Sequence, residues 1–154
     1  MKRSVLLTLG LALLVGAVAF AQGKPDFSGT WTPDPGAAPA GGGGRGGGMM
    51  GPMKVTQTAS ELTVERTMGE NTVKMVYKLD GSESVNEVMG RGGQVKQVST
   101  AKFDGAKLLI TTKMEGPQGP TDRTQTWYLE GGNLVIEQPG GRDGAIRKTV
   151  YKKG

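Results

Sequence analysis

Thr72-Val73-Lys74-Met75-Val76-Tyr77-Lys78-Leu79-Asp80-Gly81 is the stretch on which the fold turns. Val73, Met75, Tyr77 and Leu79 fall on one side of an extended chain, with Thr72, Lys74 and Lys78 on the other, and Asp80-Gly81 supplies residues tolerant of positive φ. The same period of two continues on both sides. Leu62 and Val64 alternate with Glu61, Thr63 and Glu65, and Leu108, Ile110, Thr112 and Met114 with Lys107, Thr111 and Lys113. Trp127 with Leu129 and Leu134 with Ile136 repeat the pattern, and Asp104-Gly105 and Gly131-Gly132 punctuate it. Strands are expected near 28–33, 53–58, 61–67, 72–79, 83–88, 94–103, 106–114, 122–130, 133–138 and 145–152.

About ten short strands joined by hairpins make an all-β, antiparallel up-and-down meander, which removes its exposed edges by curling and closing into a barrel. An open sheet or a two-layer sandwich is the alternative. Lys and Glu occupy many outward positions, where an outer-membrane barrel needs an apolar band. One segment departs from the pattern. Nine of the sixteen residues from Gly36 to Gly51 are Gly, set around Arg45 and flanked by Pro33, Pro35, Pro39 and Pro52, which predicts a flexible loop after the first strand.

The N-terminus carries an address. Lys2 and Arg3 precede an apolar run from Val5 to Phe20, and Ala19-Phe20-Ala21 has the small-x-small form of a cleavage site. Residues 1–21 are therefore expected to be a signal peptide cut after Ala21, leaving 22–154 as a single periplasmic or secreted domain, with no stable membrane insertion after the cut. The absence of Cys closes the lipoprotein route and leaves the domain to hold itself by packing and strand pairing alone.

Composition narrows the chemistry. With neither His nor Cys, Ser-His-Asp and Cys-His nucleophile systems are impossible, as are His- or Cys-ligated metal sites. Asp and Glu sit mainly on outward faces and in turns, so paired-carboxylate glycan cleavage has little support, and no enzyme, cofactor or metal is expected. Seven methionines after the signal (Met49, Met50, Met53, Met68, Met75, Met89, Met114) suit Cu(I) thioether ligation on paper. Met53 and Met75 read better as core fillers and Met49-Met50 as an apolar flap. The mature chain keeps seventeen basic and fourteen acidic residues, a scattered excess that does not mark a nucleic-acid partner.

The most specific local motif is Pro25-Asp26-Phe27-Ser28-Gly29-Thr30-Trp31. Its Phe-x-Gly-Thr-Trp resembles the start of the fatty-acid-binding proteins, and Gly-x-Trp is shared with the lipocalins. Most of the mature chain resembles small secreted bacterial proteins of unassigned function that begin Asp-Phe-Ser-Gly-Thr-Trp. Those continue with Tyr-x-Leu-Asp-Gly and Trp/Phe-Asp-Gly-x-x-Leu segments, matched here by Tyr77 to Gly81 and Phe103 to Leu108. Thr149-Val150-Tyr151-Lys152-Lys153 is similar to the closing Arg-x-Tyr-x-Lys of the fatty-acid-binding proteins. Thr149 replaces that family's carboxylate-pairing Arg, with Arg147 available on the same face of the strand, and a Gly-rich coil replaces its two helices. The resemblance implies a lipocalin-like (calycin) barrel of ten strands that holds a small apolar or amphipathic ligand.

Residue faces sharpen that expectation. Gln97 and Ser99 share a face with Val95, Ala101 and Phe103; Arg123 and Gln125 share one with Trp127 and Leu129; Arg147, Thr149 and Tyr151 form a third set. Unpartnered buried polar groups cost about 1–3 kcal/mol each, so their recurrence on inward faces points to a lumen with ligand or water. Gln97, Ser99, Arg123, Gln125, Arg147 and Tyr151 are the candidate ligand-binding residues. Trp31 is expected to plug one barrel end, and Gly29 to let a neighbouring backbone approach. The expected whole is a monomeric, exported, non-enzymatic carrier. The alternative is an envelope interaction protein with a filled barrel.

Overall fold

The alternating segments become ten strands in chain order: β1 Gly29–Pro33, β2 Met53–Gln57, β3 Glu61–Met68, β4 Asn71–Lys78, β5 Asp80–Gly90, β6 Gly93–Asp104, β7 Lys107–Gly116, β8 Gly119–Glu130, β9 Asn133–Pro139 and β10 Ile146–Lys153. The computed structural model describes residues 23–37, 51–90, 93–116, 119–140 and 144–154. The expected signal segment at 1–21 and most of the Gly-rich connection at 36–51 lie outside these residues. A short 3-10 turn, Pro35–Ala37, follows β1.

The strands form one antiparallel sheet in the order β4-β3-β2-β1-β10-β9-β8-β7-β6-β5. Its long-range ladder joins the first strand to the last, with Trp31 opposite Lys153 and Pro33 opposite Tyr151. β1 also pairs with β2, Trp31 lying opposite Met53. The meander thus curls into a nearly closed barrel. All ten expected strands are present, their ends displaced by at most three residues.

The barrel closes differently at its last seam. The chain turns at Leu79, and Asp80 and Gly81 (φ 86°) already belong to β5, yet β4 and β5 do not continue from the turn as a backbone ladder. Between Asp80 and Glu83 the β5–β6 register shifts, an irregularity of the kind that bends a strand away from its neighbour. Side chains bridge the gap. Asn86 Oδ1 accepts from the Val76 N–H at 2.8 Å, and Asn86 Nδ2 donates to the Val76 carbonyl at 3.0 Å. Ser84 Oγ accepts from the Lys78 N–H at 2.8 Å. A carboxamide carries the same donor and acceptor as a peptide unit, so Asn86 stands in for a missing strand position.

Inward residues fill one half of the barrel. Phe27 lies beneath the first strand and is fully buried; it stacks on Phe103 with ring centroids 6.3 Å apart and meets Trp127 edge-on at 6.2 Å. Trp31 is buried above it, its Nε1 donating to the Phe27 carbonyl at 2.9 Å. Gln57 ties the segment down, accepting from the Phe27 N–H at 3.0 Å and donating to the Pro25 carbonyl at 2.9 Å. Leu62, Leu108 and Leu134 complete this closed end. Gly29 has φ 147°, and a Cβ there would come within 3.0 Å of Lys153 Cε. The close neighbour is therefore the Lys153 stem, whose ammonium lies 5.7 Å from the Trp31 ring, rather than the backbone expected.

Replacing Asn86 by Ala leaves the Val76 N–H and C=O unpartnered at the seam. The expected loss is about 1–3 kcal/mol, read in urea as a lower midpoint with an unchanged slope. An unchanged midpoint would show that the carboxamide bridge does not hold the seam.

Candidate ligand-binding site

Above the aromatic floor the inward residues become smaller or more polar, and a cavity of about 300 Å³ remains between β3 and β8. Val64 from β3, Val73, Met75 and Tyr77 from β4, and Trp127 from β8 make its apolar wall. Val88, Val95 and Met114 continue that wall towards the ends where β5 runs into β6 and β7 into β8. Met89 and Val95 are 69% and 45% exposed, so the cavity meets solvent through an apolar rim at this end. Both ends of the Gly-rich connection leave the barrel on this same side, because β1 runs away from Phe27 and β2 runs back towards it.

Five polar residues line the cavity: Arg66, Gln97, Thr112, Arg123 and Gln125. Their placement follows from register. Ser99, Thr112 and Arg123 lie opposite one another across β6, β7 and β8, and Asn86 lies opposite Gln97 across β5 and β6. Ser99 is buried behind the wall, its hydroxyl 2.8 Å from that of Thr112. Gln125 donates to Gln138 Oε1 at 3.1 Å and accepts from Trp127 Nε1 at 3.3 Å. Ser99 with Thr112, and Gln125 with Gln138 and Trp127, thus satisfy one another. Arg66 and Arg123 are the two charged groups of the wall, and among the described residues no Asp or Glu lines the cavity.

Of the six residues singled out from sequence, the structure brings Gln97, Arg123 and Gln125 to the cavity wall and Ser99 directly behind it. Arg147 sits at the exposed start of β10, opposite Gln138, and does not line the cavity. Tyr151 is 3% exposed and belongs to the packed core. Thr149, on the same face, is also buried, so this strand contributes to the filled half. Arg66 was not singled out although it continues the Leu62, Val64 face of β3; that parity was the available signal. Of the methionines, Met53 is a core residue, while Met75, Met89 and Met114 line the cavity.

Tyr77 marks the passage from floor to cavity. Its hydroxyl donates to Met75 Sδ at 3.3 Å, and burial pushes its phenol from 10.0 up to about 12, with the Arg66 charge pulling the other way.

The ten-stranded, nearly closed barrel with an opening at one end is the fold of the fatty-acid-binding-type calycins. No known family profile and no curated protein matches this chain. Solved structures match it along most of its length. A REP1-NXSQ fatty acid transporter superposes with a TM-score of 0.59 at 14% identity, covering 82% of this chain and 95% of its own. The wild-type fluorescent protein UnaG superposes with a TM-score of 0.60 at 19% identity, covering 83% and 97%. At these identities the likeness is one of fold.

The Tyr77 phenol predicts an alkaline limb of stability. Its folded pKa exceeds the unfolded one, so the unfolded state loses its proton first as pH rises. About 2–3 kcal/mol is then lost progressively between pH 10 and 12. Tyr77→Phe should flatten that part of the limb, measured by urea unfolding across this range. A limb as steep as that of the unaltered protein would exclude Tyr77 as its source.

Proposed function

We propose that the mature chain is an exported, monomeric, non-enzymatic carrier that holds a small apolar or amphipathic molecule in the cavity between β3 and β8. The observation that carries this reading is the abrupt change inside the barrel. The half around Phe27 and Trp31 is packed, whereas the half around Met75, Val88 and Met114 is apolar, open at the rim and provided with a few polar groups. Ligand sites in small barrels have this form: a concave apolar wall with sparse polar anchors, at volumes upward of about 300 Å³. The fatty acid transporter among the structures of the same fold agrees with this use of the cavity. Export rests on the Lys2-Arg3 start, the apolar run and Ala19-Phe20-Ala21.

Two measurements test the proposal. Protein purified from its own envelope should begin at Gln22 and show, in native mass spectrometry, an adduct that organic extraction removes. Val73→Trp, which extends a partly exposed wall residue into the cavity, should weaken binding of an apolar fluorescent dye by about tenfold or more with the strand spectrum intact. A clean apo mass together with equal dye binding by both proteins would remove the carrier reading.

A further inference from the structure

Sulfur collects at the open end of the cavity. Met89 near the end of β5 and Met114 near the end of β7 both line it, with Val95 of β6 between them. Met89 is 69% exposed and Met114 39%. A third thioether, Met75 of β4, lies on the same wall but packs against the core, and its Sδ accepts the Tyr77 hydroxyl at 3.3 Å. Met53 is 2% exposed and belongs to the packed half. These four side chains form a series from open rim to sealed core.

Chemistry ranks them in the same order. The chain has no Cys, so its thioethers are the readiest acceptors of an oxygen atom. Hydrogen peroxide or hypochlorous acid gives one oxygen to Sδ: an S–O bond forms and the O–O or O–Cl bond breaks. The sulfur loses two electrons and becomes a sulfoxide, while the oxidant leaves as water, or as chloride and a proton. That transfer needs the oxidant to reach a sulfur lone pair. Met89 and Met114 offer theirs to solvent, Met75 has its sulfur engaged by a phenol, and Met53 is enclosed. A domain outside the reducing cytoplasm, as proposed above, meets such oxidants directly.

The consequence falls on the entrance. A thioether is apolar and adaptable, whereas a sulfoxide is polar and holds water. Two sulfoxides turn an apolar rim into a hydrated one, and an apolar molecule seated there has to strip that water. The packed half is untouched, since neither residue belongs to it.

We propose that Met89 and Met114 are a reversible oxidation site that sets how firmly the cavity holds an apolar occupant: tightly as thioethers, loosely as sulfoxides. This rests on the carrier reading and adds to it a chemical control at the cavity mouth.

The test treats the purified mature protein with hydrogen peroxide and follows each methionine by peptide mass mapping. The uncharged dye N-phenyl-1-naphthylamine reports binding. Met89 and Met114 should gain oxygen about tenfold or more faster than Met53, and dye affinity should fall about tenfold with the strand spectrum unchanged. Methionine sulfoxide reductases acting on both epimers should restore it. The double variant Met89→Leu/Met114→Leu, which keeps volume and apolarity, should bind the dye like the parent and ignore peroxide. Unchanged affinity once Met89 and Met114 are fully converted, or an equal loss in the double variant, would overturn the inference and leave the carrier standing. Failure of the unoxidised protein to bind the dye would take down both.

Discussion

Ten antiparallel strands laid side by side leave two edges of unpaired N–H and C=O groups, and in a barrel those edges must meet. Everything else in this domain depends on that meeting. The chain solves it with a seam between β4 and β5 in which no backbone ladder forms. Asn86 places a carboxamide against Val76, and Ser84 places a hydroxyl against Lys78, so the β4 edge finds partners in side chains instead of a strand. Both residues are nearly buried and point inward on β5. The seam therefore satisfies the edge and also takes up interior space. Hydrogen-bonded edges are also shielded from pairing with another molecule, which matters for a β-domain without disulfides.

The opposite wall is secured by continuity. β1 pairs with both β2 and β10, and the Gly154 N–H donates to the Thr30 carbonyl at 2.9 Å, so the chain's last residue clasps its first strand. The segment before β1 folds beneath the barrel, held by Gln57, and brings Phe27 against Phe103 and Trp127. An aromatic floor of this kind concentrates dispersion and burial at one end. That packed end allows the other half to remain open. A barrel of this size filled throughout would be more stable, and one empty throughout would lack a core.

Much of this was legible in the chain because strands report through alternation. Leu62-Thr63-Val64 and Leu108-Leu109-Ile110 show which face is inward before any pairing is known, and the Asp104-Gly105 turn fixes where β6 reverses into β7. Gln97, Arg123 and Gln125 were readable for the same reason: each shares parity with residues that must be buried. What alternation cannot report is depth along the barrel axis. Arg147 and Tyr151 share a face, yet one is exposed at the rim and the other packed in the core, because strand tilt and register set the level. Asn86 was hidden for a related reason. A polar residue on an inward face signals a lumen or a bridge, and only the missing β4–β5 ladder shows that it is a bridge.

Polar groups inside a β-barrel thus fall into kinds that sequence alone merges. Ser84 and Asn86 repair the backbone; Ser99, Thr112, Gln125 and Gln138 repair one another. Once those are paired, what distinguishes the cavity is its apolar wall from Val64 to Trp127, with Arg66 and Arg123 on its outer part. Both are partly exposed, which keeps water within reach of their charges. A charge buried at the level of Trp127 would destabilise the barrel, whereas one near the rim leaves it folded. The grading from aromatic floor to partly exposed polar rim therefore lets one small domain keep a packed core beside a cavity.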